Sequence, residues 1–270
     1  MAWVWLHRFG SPPYFYRLAR RLTPWFAWPA LLLCLAGLVW GLGFTPPEAH
    51  QGDGFRIIYV HVPAAWLSVQ VYMVMALSAA IGLIWRIKIA HAVAASCATV
   101  GASFTVLALG TGMLWGKPMW GTWWPWDPRT TSELLLLFLY LGYVGLRSGF
   151  DDIARADRAS AVLAIVGAVD APIVHYSVVW WNSLHQGSSL IRAGGPAIAL
   201  SMLLPLLLMI LGFYCYFAAV LLVRTRAEIL RRERNAQWIA QELAADGTRP
   251  AGTSSGPLAS RSGNPLTTGS

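Results

Sequence analysis

Long apolar runs, broken by short polar segments, dominate this 270-residue chain. A helix that crosses a bilayer needs about 20 mainly apolar residues. Six runs meet that length, at about 24–44, 63–85, 92–115, 133–150, 160–180 and 197–223. The fourth is the shortest, built on Leu134 to Leu146 with Arg147 free to snorkel at its end. Pro205 lies inside the sixth and is tolerated in a membrane helix. The pattern predicts an all-α polytopic membrane protein with six transmembrane helices. The first run follows Arg8, Arg17, Arg20 and Arg21, so it reads as an uncleaved signal anchor.

Composition agrees with a bilayer as solvent. The chain is 56% hydrophobic and only 12% charged, against about 25% charged in soluble domains. The net charge of +8 raises nucleic acid as a partner. The basic residues, however, are scattered between apolar runs, where membrane topology explains them, and no nucleic acid is expected. With a cytoplasmic N-terminus, the inner segments hold 16 of the 20 Lys and Arg residues. The outer segments hold only Arg56, Lys117, Arg129 and Arg192. This bias predicts both termini inside. Residues 224–245 predict a basic juxtamembrane helix, suited to anionic lipid or an acidic partner. Residues 246–270 are rich in Gly, Ser, Thr and Pro and read as a disordered tail. Cys34, Cys97 and Cys215 all fall in apolar runs without a CxxC pair, which argues against disulfides and thiolate metal sites. No CxxCH is present, so the chain does not attach haem as a c-type cytochrome does.

The departures from plain membrane helix lie in three predicted outer segments, 44–62, 116–132 and 181–196. The largest runs from Trp115 to Arg129, with Trp115, Trp120, Trp123, Trp124 and Trp126 inside twelve residues. An interfacial aromatic belt explains one or two tryptophans per helix end, but not five interleaved with Gly, Pro, Lys, Asp and Arg. A dense indole surface suits a large flat apolar ligand. Lys117 and Arg129 suit one that also carries carboxylates. Thr130 to Glu133 fits a capping box that starts the fourth helix. His61, in Tyr59-Val-His-Val-Pro63, and His185, in Trp180-Trp-Asn-Ser-Leu-His-Gln-Gly187, flank the loop from the same side. Imidazole is a common axial ligand of haem iron, although a lone interfacial histidine is more often just an amphipathic residue. His7, His50 and His91 read as solvated surface positions. Asp170 and His175 fall inside the fifth span. They stay open between a structural pairing, a partner for backbone freed by Pro172, and a functional role.

Trp120-Gly-Thr-Trp-Trp-Pro-Trp-Asp-Pro-Arg129 resembles the tryptophan-rich WWD motif of haem-handling proteins. Together with Arg56-Ile-Ile-Tyr-Val-His-Val-Pro63 and His175-Tyr-Ser through Gly187, it resembles the CcmC family, component C of the bacterial cytochrome c maturation machinery. The resemblance covers residues 1–225. It implies a multi-pass protein of the bacterial inner membrane that is not an enzyme. It implies a complex with ABC transporter components A and B and a small one-span component D. Haem b, held non-covalently at the periplasmic face, would pass to a haem chaperone, component E. By motif position His61 and His185 would be the axial ligands. Trp120, Trp123, Trp124 and Trp126 would form the platform, with Asp127 in the site and Arg129 as the propionate partner. Pro125 and Pro128 depart from the expected pattern without removing a motif residue. The rivals are a membrane b-type cytochrome, whose histidines sit within facing helices, and a haem permease subunit. No GxxxxGK[ST] loop is present, so the chain does not power transport itself.

Overall fold

The computed structural model describes residues 10–181, 183–185, 187, 195 and 198–245. The elements are helices α1 (Pro12–Gly43), α2 (Ile58–Trp85), α3 (Lys88–Trp120), α4 (Pro128–Ser148), α5 (Ile153–Gly167), α6 (Asp170–Trp180), α7 (Leu200–Arg232) and α8 (Gln237–Ala245). A short 3-10 turn, Asp53–Ile57, leads into α2. Among the described residues the only β pairing is an isolated bridge between Glu48 and Gly52. All-helical architecture is what a bilayer demands, because each backbone polar group must be satisfied within its own segment.

Five stretches are long and apolar enough to cross a membrane: Pro12–Gly43, Asp53–Trp85, Lys88–Trp120, Ile153–Trp180 and Leu200–Arg232. Helix α4, the shortest predicted span, falls outside that set. Its 21 residues still measure about 32 Å at 1.5 Å per residue. It runs from the tryptophan segment at its N-terminus to Arg147, which pairs with Asp157 and Glu228 at the opposite end of the helices.

Helix ends differ from the sequence expectation in four places. Helix α1 begins at Pro12, so Arg17, Arg20 and Arg21 ride on its first turns. Helix α3 continues through Pro118 to Trp120, which makes Trp115, Lys117 and Trp120 helical rather than loop residues. It stops at Gly121, whose φ of 76° is left-handed and suits a residue without Cβ. The fifth span is interrupted at Ala168 and Val169, between α5 and α6. Helix α7 carries Arg224, Arg226, Arg231 and Arg232 as its own continuation. The basic segment 224–245 is therefore a helix end followed by the separate α8. The proposed tail 246–270 lies outside the described residues.

The core follows membrane rules, with small residues letting helices approach. Gly101 of α3 faces the Tyr140 ring of α4 so closely that a Cβ there would stand 2.1 Å from it. The Tyr140 hydroxyl donates to the Ser68 carbonyl of α2 at 2.7 Å, and its ring meets Tyr72 edge-on at 5.0 Å. Helix α1 packs chiefly along α7 and leaves Trp25, Leu32 and Leu35 exposed, a surface for lipid. At the far end, Asp157 and Glu228 accept from Arg147 and Arg232 over 2.6–2.8 Å. Arg147 is thus paired and half-buried rather than snorkelling. His91 is buried, its ring against Gly82 of α2, and not the solvated residue expected.

Candidate functional site

At the tryptophan end a cavity of about 460 Å3, open mouth included, lies between α2, α3, α4 and the segment after α6. His61 and His185 both line it, with Trp120, Trp123, Trp124 and Arg129. The structure therefore gathers six of the eight sequence-derived site residues around one space.

His61 stands on the first turn of α2, not in a loop. Its Nδ1 lies 2.9 Å from the Thr111 hydroxyl of α3. That hydroxyl spends its proton on the Leu107 carbonyl at 2.6 Å, so its oxygen accepts from the imidazole. The proton is thereby held on Nδ1, and Nε2 keeps its lone pair. His185 repeats the logic from a loop. Its Nδ1 lies 3.4 Å from Asp127 Oδ2, its backbone N–H donates to Ser183 Oγ at 3.1 Å, and Ser183 donates to Asp127. Its ring packs edge-on against Trp120, with centroids 4.9 Å apart.

Asp127 is turned toward these groups and away from the cavity. It is the N-cap of α4 and accepts from Thr130 N–H at 2.8 Å and from the Thr130 hydroxyl at 2.7 Å. The helix thus begins three residues before the capping box read from sequence, and Glu133 makes no reciprocal bond. Burial raises the Asp127 carboxyl, but bonds from Ser183 and Thr130 and the nearby imidazole outweigh it and hold the group at about 2. It is a fixed anion beside His185. Burial pushes the His185 imidazole down, against the opposing pull of Asp127, which favours the neutral, metal-binding form. Such carboxylate–histidine pairs fix ring orientation and raise ligand basicity.

The indoles divide into two groups. Trp120 packs edge-on against Trp115 at 4.8 Å, and Trp115 Nε1 donates to Gln51 of the first outer loop at 3.1 Å. Trp124 lines the cavity, and its Nε1 is buried without a partner among the described residues. Trp126 packs on Trp124 at 5.6 Å but is 80% exposed and lies off the cavity. Arg129 donates to the Val174 carbonyl of α6 at 2.7 Å, which pins its guanidinium at the cavity wall. Two metal-ready imidazoles, an orphaned indole N–H, a guanidinium and flat aromatic walls fit an iron porphyrin with carboxylate arms.

Asp170 and His175 do not pair. They are five residues apart, about 140° around a helix, so Asp170 is buried while His175 is exposed against Tyr176. His50 is exposed, its backbone N–H on Glu48 at 2.8 Å; His7 lies outside the described residues. Three groups escaped the sequence reading. Thr111 and Gln51 carry no signal in a linear chain. Glu133, an ionisable residue on a spanning helix, was a candidate by that fact alone.

The model of the family described as heme exporter protein C matches residues 5–240. This chain belongs to that family. It is 47% identical over 237 residues to heme exporter protein C of Haemophilus influenzae, covering 88% of this chain and 96% of the relative. It is 46% identical over 239 residues to that of Escherichia coli K12, with the same two coverages. The Paracoccus denitrificans relative is 42% identical over 240 residues, covering 88% and 98%. Membership fits a multi-pass protein of the inner membrane, and the apolar helices supply the spans. One sequence argument weakens: His61 is helical, as in a b-type cytochrome, and only His185 is loop-borne.

Proposed function

We propose that this protein holds haem b non-covalently at the periplasmic face of the inner membrane and passes it to the haem chaperone, component E, during c-type cytochrome biogenesis. ABC transporter components A and B and one-span component D are its partners in that role. Helix α4 serves as the sixth span, and both termini are cytoplasmic, as the basic-residue bias supports. One observation carries the reading: His61 and His185 line one cavity, and each has its Nδ1 occupied so that Nε2 is the free ligand atom. His61 and His185 would hold the iron, Trp120, Trp123 and Trp124 would supply stacking area, and Arg129 with Trp124 Nε1 would receive the carboxylate arms.

Release suits the asymmetry of the clamp. His61 is set in a helix between packed neighbours, whereas His185 depends on a loop tied to Asp127. A shift of His185 alone would open one side of the iron while His61 stayed in place.

The test is an absorption spectrum of the purified protein with His61→Ala, His185→Ala and both. Each single variant should hold haem weakly or with five-coordinate iron. The double variant should lose haem and its delivery to the chaperone. A double variant with an unchanged spectrum would sink the reading.

A further inference from the structure

Glu133 lines the cavity, yet neither iron ligation nor carboxylate recognition employs it. It follows Arg129 by four residues on α4, so the two share a helix face. Glu133 is 5% exposed, and both its carboxyl oxygens are buried without a hydrogen bond. Ser68 lies beside it, but that hydroxyl gives its proton to the Ala65 carbonyl at 2.8 Å. Arg129 is near enough for its charge to act on Glu133, but its hydrogen bond goes to the Val174 carbonyl and none reaches the carboxylate.

Behind Glu133 stands a second acid. Asp170 opens α6 just past the break at Ala168 and Val169, is 4% exposed, and also has both oxygens unpaired. The two are near enough for their charges to interact. The Tyr72 hydroxyl, close to Asp170, is buried and unpaired as well. Glu133 thus brings two carboxyl oxygens without a hydrogen bond among the described residues to the cavity wall, and Asp170 holds two more behind it, in a part of the protein where charge is costly.

A buried carboxyl without a partner is satisfied by a proton or by a nearby positive charge. Ferric haem brings such a charge. A porphyrin dianion around Fe(III) leaves a core of net +1, which two neutral imidazoles do not alter. Around Fe(II) the core is neutral. Recognition of propionates by Arg129 does not distinguish these states, since the propionates are the same in both.

We infer that Glu133, backed by Asp170, is a specificity-determining group of the cavity that favours a porphyrin with a positively charged metal core, and hence ferric haem, over one with a neutral core. The inference rests on the haem-binding reading above. It assigns the inner wall to the metal's charge and the outer wall to the propionates.

The test compares gallium(III) with zinc(II) protoporphyrin IX, whose cores carry +1 and zero. Neither metal changes oxidation state during the measurement. Affinities of both are measured for the full-length protein in detergent, as wild type, Glu133→Gln, Glu133→Asp and Asp170→Asn. The gallium-to-zinc preference should fall about tenfold in Glu133→Gln. It should fall less in Asp170→Asn and keep its wild-type value in Glu133→Asp. An unchanged preference in Glu133→Gln and Asp170→Asn overturns the inference. Should Glu133→Gln fail to assemble, Asp170→Asn decides alone. Binding of either porphyrin that ignores loss of both His61 and His185 would instead overturn the haem site itself.

Discussion

At the residue scale, the orientation of each imidazole rests on a neighbour that never touches the cargo. Thr111 holds the Nδ1 proton of His61, and Asp127 holds that of His185. Groups of this kind typically cost about 10–100-fold in metal affinity when removed. Thr111→Val keeps the volume but loses the acceptor. Asp127→Asn keeps the shape and a capping oxygen for α4 but loses the anion. Each should lower haem retention into that range in titrations of the purified protein, with His61 and His185 still present. A variant that binds haem at wild-type strength would show that the ring orientations are set by packing alone. Trp126 serves as a control: it is 80% exposed, so Trp126→Ala should change retention far less than Trp124→Ala. The stacking part of the latter loss is about 1 kcal/mol.

At the scale of elements, the cavity depends on how closely α3 and α4 approach. Gly101 of α3 admits the Tyr140 ring of α4, and both helices line the cavity. Gly101→Ala would force that ring or the helices apart, and overpacking of this kind costs about 1–3 kcal/mol. Thermal unfolding in detergent should show the loss, and haem retention should fall with it. The same element view explains where sequence reading slipped. Apolar runs mark the middle of a span well and its ends poorly. Helix α3 passes Pro118 because preceding turns hold it, and Gly121 rather than the proline ends it. Arg147 looked like a snorkelling residue because its partners, Asp157 on α5 and Glu228 on α7, are remote in sequence. His91 looked solvated because nothing in its own helix tells that Gly82 makes room for it.

For the whole molecule, topology is the decisive expectation. Reporter fusions at residue 125 and residue 188 should read periplasmic, and one at residue 155 cytoplasmic. A cytoplasmic signal from either of the first two would remove the shared outer face on which the site depends. The fusion at 155 also tests α4 as a span, since 125 and 155 lie on opposite faces only if α4 crosses. The distal residues carry no apolar period, so truncation after Ala245 should leave cytochrome c assembly intact at normal protein levels. Lost assembly with normal levels would reveal a binding role for that segment.

The sequence by itself determined the solvent, the helical class and most of the residues that line the candidate cavity. Long apolar runs admit few folded alternatives once water is excluded, because only closed backbone hydrogen bonding survives in lipid. Trp120 to Arg129, His61 and His185 stand out for a related reason, since costly residues at a membrane face are rarely kept without a use. Tertiary structure alone decided how they work. It turned Asp127 from a cavity residue into the cap and the partner of His185, set Trp126 outside, and separated Asp170 from His175. It also brought Glu133 to the cavity wall without a hydrogen bond among the described residues. Each of these depends on which face of a helix meets which neighbour. That is fixed by packing between segments tens of residues apart, and no local pattern encodes it.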